Sequence, residues 1–198
     1  MKRSAILRLV KNNVDEKTDF LIDGLKANIA DALFEEMTNL SEQQALAHHF
    51  NIMRAMKVDE LKYRDVFDAL LTRTWDRFLE KQDEDFLENP TGKIAALIKS
   101  LSDRTTNHYK VLINDTRYRF QTLLQRELDR HPLFPDIYYR AFWQALKETN
   151  LSYDERCLVV PLFHRFVMDR YGQILLTANR TLIELKIDTT IQLPTSSQ

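Results

Sequence analysis

The stretch Ser152-Tyr153-Asp154-Glu155-Arg156-Cys157-Leu158-Val159-Val160-Pro161-Leu162-Phe163-His164-Arg165-Phe166 decides the fold class. Ser152 with Glu155 three residues on spells a capping box, in which a hydroxyl and a carboxylate satisfy the orphaned backbone N–H groups of a helix start. Behind it Leu158, Leu162, Phe163 and Phe166 recur at helical spacing, and the stripe runs on through Tyr171, Ile174, Ala178, Leu182 and Leu185. Such a period is helical. Pro161 is expected to kink this helix, because its ring removes a ladder hydrogen bond and crowds the preceding turn; Gly172 is a second weak point.

The same period extends back along the chain. Ile22, Leu25, Ile29, Leu33, Met37 and Leu40 mark a helix from about Asp15 to Asn39, and Ser41 with Gln44 forms another capping box ahead of Leu46, Phe50, Met53 and Met56. Tyr63, Phe67, Leu70, Thr74 and Phe78 follow, widened by Leu71, Trp75 and Leu79 into a face fit for the middle of a bundle. Ile94, Leu97, Ile98 and Leu101 mark a short helix, and Tyr109, Leu112, Ile113, Phe120, Leu123, Leu124 and Leu128 a longer one, which His131-Pro132-Leu133-Phe134-Pro135 must end. The next, from about Asp136 to Thr149, carries Tyr138, Phe142, Ala145 and Leu146, with Tyr139 and Trp143 beside them. Neither strand alternation nor an internal repeat competes with this pattern.

The expectation is an all-α, single-domain multi-helix bundle of about six to seven helices over residues 1–187, with a flexible tail at 188–198. An acidic loop near 83–92, with Asp83, Asp85 and Glu88 ahead of Pro90 and Gly92, marks the one place to divide it into two helical halves. Composition agrees: 198 residues with 3 glycines leave little material for hairpin turns or phosphate-cradling loops. Net charge is −1, so the whole chain projects no field toward nucleic acid or anionic lipid. Cys157 is the one cysteine, which excludes an internal disulfide and points to a reducing cytoplasm. The opening Met1–Lys11 is basic, but Arg8 breaks its apolar stretch, so it reads as neither signal peptide nor anchor; no apolar run is long enough to span a membrane.

Candidate chemistry is sparse. Of His48, His49, His108, His131 and His164, no two share the i, i+4 spacing that pairs imidazoles for a metal, and no metal or cofactor is expected. Asp15, Asp19 and Asp23 share one helix face, as a magnesium site would require, but the position also suits a solvated face near a helix start. Cys157 and His164 stand two turns apart, too far for a thiol–imidazole contact. There is no nucleophile elbow or P-loop, so a non-enzyme is expected. The best basic patch runs from Arg104 to Arg130, where Arg104, Lys110, Arg117, Arg119, Arg126 and Arg130 are interleaved with Tyr109, Tyr118 and Phe120, a pattern suited to phosphates and stacked bases, though a solvated helix face reads the same way.

Three groups of residues also resemble a known family: His131-Pro132-Leu133-Phe134-Pro135 with Ala141-Phe142-Trp143-Gln144-Ala145-Leu146; Phe163-His164-Arg165-Phe166-Val167-Met168 with Asn179-Arg180-Thr181-Leu182-Ile183-Glu184; and Leu25 to Leu79 around Phe50-Asn51-Ile52-Met53-Arg54-Ala55-Met56. The family is an uncharacterised proteobacterial one, domain of unknown function sixteen thirty-one. Its members are typically much longer, so the chain resembles an end region of them, and the resemblance implies no established activity. The family usually shows a small capping residue where this chain has Phe134, and a glycine where it has Lys186.

The leading functional expectation is a cytoplasmic regulatory or adaptor protein that binds a protein partner, with Tyr139 and Trp143 as aromatic anchors; a homo-oligomer is open. The alternatives are a nucleic-acid-binding regulator using the basic face at 104–130, and an enzyme whose site is buried between helices.

Overall fold

The computed structural model describes residues 2–37, 43–82 and 85–189. Helix dominates them, and no strand occurs among them. The order is α1 (Arg3–Met37), α2 (Gln43–Val58), α3 (Glu60–Leu79), α4 (Lys93–His108), α5 (Lys110–Leu124), α6 (Pro135–Ala145), α7 (Tyr153–Phe166) and α8 (Gly172–Glu184), with short 3₁₀ turns at Leu146–Glu148 and Met168–Arg170. Two of the joints are single residues, Asp59 and Tyr109. The all-α bundle expected from the periodicity is what the chain forms.

The centre is α6, in which Ile137, Tyr138, Tyr139, Ala141, Phe142, Trp143 and even Arg140 are buried. A helix apolar all round belongs inside a bundle, and α6 is wrapped by α3, α4 and α7. Its rings interlock with theirs. Phe142 stacks on Phe163 of α7 at 4.0 Å, while Phe67 of α3 meets Tyr138, Phe142 and Phe163 edge-on at 6.0–6.2 Å. Such pairs add about 0.5–1.5 kcal/mol each beyond area burial. On the outside, α1 packs along α8 and also touches α2 and α7, and α5 lies against α8.

Several boundaries differ from the sequence expectation. The long C-terminal stripe is two helices, separated at Val167–Tyr171 just ahead of Gly172, the second weak point, with Pro161 inside α7. Gly172 opens α8 because a Cβ there would lie 2.6 Å from the Tyr109 ring. The helix expected to run to the His131 turn ends at Leu124, since Gln125 turns left-handed at φ 54°. Lys81 and Lys186, both at φ 59°, end α3 and α8 in the same way. Around each lysine the last carbonyls are closed by two backward bonds, Lys81 N to Phe78 O with Gln82 N to Arg77 O, and Lys186 N to Ile183 O with Ile187 N to Leu182 O. That is the Schellman arrangement, which normally uses glycine. The Ser41–Gln44 box and most of the tail lie outside the described residues.

The acidic loop is not free. Arg140 reaches out of α6 to hold it: Nη1 and Nη2 take the Asp85 carboxylate at 2.5 and 3.2 Å, Nε donates to Glu88 O at 3.1 Å, and Nη2 also donates to Leu87 O. Lys147 pairs with Glu88, and Leu87 is buried in the core.

Candidate interaction surface

The junction between α6 and α7 fixes how the outer helices sit. Ser152 and Glu155 form the expected capping box: Glu155 N donates to Ser152 Oγ at 3.3 Å and Ser152 N to Glu155 Oε2 at 2.8 Å. The other carboxylate oxygen of Glu155 faces α2, where it takes His48 Nδ1 at 3.0 Å and Asn51 Nδ2 at 3.1 Å. Burial pushes this carboxyl up, but the bonds from His48, the Ser152 N–H and Asn51 outweigh it and hold it at about 2. A second carboxylate does similar work at the next joint. Asp59 is buried, accepts from Lys62 Nζ at 2.8 Å, and takes both Asn150 N and Nδ2 at 3.2 and 3.3 Å. Those bonds, Lys62 foremost, lower its pKa.

With α2 so clamped, His49, Ile52 and Met56 turn inward, and one stripe of α2 and early α3 turns outward. That stripe holds Phe50, Val58 and Leu61, exposed at 58%, 70% and 74%. Arg54 and Lys57, also exposed, lie between them on the same face and form no ion pair among the described residues. Phe50, counted into the apolar stripe with Met53 and Met56, is thus on the outside, while Met56 is buried and Met53 half-buried as that stripe requires; His49 and Ile52 complete the inward face. The signal lay in Ile52, four residues before Met56. A surface phenylalanine with two large aliphatics within three turns is the kind of patch that marks a contact site.

The residues singled out from sequence fare differently. Tyr139 and Trp143 are buried, so they are core side chains and not exposed anchors; the physical reason is the central place of α6. The four arginines do not form one free basic face either. Arg117 lies over Tyr118 at 5.0 Å, Arg119 donates to Ile187 O at 2.8 Å, Arg126 donates to Phe78 O at 3.3 Å, and Arg130 grips Asp136 at 2.5 Å. Three of the four close carbonyls or carboxylates of their own chain. Asp19 and Asp23, offered as a magnesium face, are bridged by Arg64 of α3 at 3.2 and 2.7 Å.

One buried polar chain has the composition of a catalytic relay. The Tyr139 hydroxyl donates to His164 Nδ1 at 2.5 Å and lies 3.0 Å from Thr105 Oγ1, while His164 Nε2 faces Asp169 at 3.2 Å. Burial lowers the His164 pKa against the pull of Asp169, with Arg104 adding to the fall. The clefts of about 390, 380 and 140 Å³ are lined by other residues. His131 is likewise structural. Its Nε2 donates to Ile113 O and its Nδ1 accepts from Leu133 N, both at 3.2 Å, and burial drives its pKa down to about 3. No helix among the described residues is long and apolar enough to cross a membrane.

Comparison with known proteins agrees with the resemblance. No curated protein matches the chain, and no solved structure does. Residues 2–186 match the family described as protein of unknown function (DUF1631), N-terminal domain, which fixes the end region that the chain resembles. With that match over nearly its whole length, the chain belongs to the DUF1631 family.

Proposed function

We propose that this domain is a cytoplasmic bacterial regulator or adaptor that acts by binding a protein partner through the outer face of α2 and the start of α3. The single observation that carries this reading is the stripe of Phe50, Val58 and Leu61, large apolar side chains left in water with Arg54 and Lys57 between them. Apolar anchors at i, i+8 and i+11 suit a partner helix laid along the stripe, and apolar burial supplies the affinity. Arg54 and Lys57, which form no ion pair among the described residues, favour acidic flanks on that partner.

The test is capture by the tagged chain from its native cytoplasm, with nuclease and high salt, beside a Phe50→Asp/Leu61→Asp variant whose helical circular dichroism is unchanged. A discrete protein retained by the native chain and lost by the variant supports the reading. Equal capture by both, or recovery of nucleic acid alone at low salt, overturns it.

A further inference from the structure

The α1–α8 pair carries charges that the chain itself leaves unused. Glu16 and Lys17 flank Phe20 on α1, and Thr177, Arg180 and Glu184 of α8 line the other wall of a shared groove of about 380 Å³. Along α1 Lys11 pairs with Asp15, Lys26 with Glu60, and Asp19 and Asp23 with Arg64, while Arg8 and Asp31 enter no ion pair among the described residues. The groove gathers several such charges in one patch. Among the described residues Glu16, Arg180 and Glu184 enter no ion pair, and Lys17 sits over the Phe20 ring at 5.0 Å.

Apolar ground lies in and beside the groove. Phe20, in its lining, is exposed at 62%, and Leu176 and Ile183, one turn either side of Arg180 on the part of α8 outside that lining, are exposed as well. One turn beyond Phe20 lies Gly24. A glycine inside a helix is destabilising relative to alanine, and the fold gives no reason for it: its φ is not positive, and an added Cβ would meet nothing within 4 Å. Close approach by a second backbone is such a reason.

Two acids and two bases in one patch suit neither a polyanion nor a strongly charged partner. They suit a copy of themselves, because a twofold axis sets the same patch on both sides, so acids on one meet bases on the other. We infer that the α1–α8 face is the interface of a twofold dimer of this chain, with Phe20, Leu176 and Ile183 at its apolar centre and Glu16 of each copy opposite Arg180 of the other. This face is separate from the α2 stripe, so the dimer stands or falls apart from partner binding.

Sedimentation velocity of the full chain over micromolar to submillimolar concentrations tests it. The expected result is a reversible dimer that weakens as salt is raised; a monomer throughout overturns the inference. Glu16→Arg and Arg180→Glu should each weaken the dimer by about tenfold, and the double reversal should restore most of it. Gly24→Ala should raise the melting temperature of the chain yet weaken its dimer, a split that a purely structural glycine does not produce. A dimer indifferent to all of these substitutions places the interface elsewhere and overturns the inference as surely as a monomer does.

Discussion

His48 on α2 sets its Nδ1 3.0 Å from the Glu155 carboxylate on α7, 107 residues further along the chain. The contact makes one side chain serve twice, as the cap of α7 and as the clasp that orients α2. The outward stripe of Phe50, Val58 and Leu61 depends on that orientation.

Replacing Glu155 with Gln keeps the shape and removes the charge. The folded carboxyl at about 2 lies below its ordinary value of 4.5, so its stabilisation is full above pH 4.5 and fades as the pH falls toward 2. The expected loss at pH 7 is about 2 kcal/mol, from charge-assisted bonds to a buried acceptor. Thermal unfolding of both forms at pH 7 and pH 3 checks it: the gap should narrow at the lower pH.

Asp68 has the opposite sign. It lines the small crevice of about 140 Å³ with Asp15 and Asp19, and burial, then Asp19, raises its carboxyl from 3.8 to about 6. The native state therefore holds the extra proton between those values, and stability falls as pH rises through that window. Asp68→Asn should stabilise the chain at pH 7.5 by up to about 1 kcal/mol after solvent screening, and change little at pH 4. Melting curves at the two pH values decide it.

Lys186 holds a left-handed backbone at φ 59°. An L side chain there costs about 1–2 kcal/mol, which glycine avoids, less what glycine adds to the freedom of the unfolded chain. Lys186→Gly should raise the melting temperature by about 2–4 °C. No gain would mean that the lysine has a compensating contact.

Gly172→Ala should destabilise by about 1–3 kcal/mol, as an added methyl meets the Tyr109 ring at 2.6 Å. Tyr109 also donates to Asp169 O at 2.6 Å, so it has little room to retreat. In a Tyr109→Ala background the same substitution should cost less; a double-mutant cycle by chemical denaturation measures the coupling.

The fold class was legible because its signals are local. The Ser152–Glu155 box spans four residues, and the apolar period of α3 puts Tyr63, Phe67, Leu71 and Trp75 inward as the bundle reading requires. Helix ends were harder: Lys81, Gln125 and Lys186 adopt the turn that glycine would have announced. The candidate surface was not legible. Whether Phe50 or Ile52 faces in depends on His48 and Asn51 finding Glu155, and whether Tyr139 and Trp143 are exposed depends on α6 lying at the centre, both settled by contacts distant in sequence. The bonds of Arg119 and Arg126 were hidden for the same reason, since their acceptors lie 68 and 48 residues away.

The most direct measurement of the central claim is photo-crosslinking in living cells with a crosslinking residue placed at Leu61, against a control at the exposed Lys99 of α4. The account predicts a discrete protein adduct at position 61, none at 99, and loss of the adduct when Phe50 becomes Asp. The same adducts from both positions, or adducts to nucleic acid at 61, would contradict it.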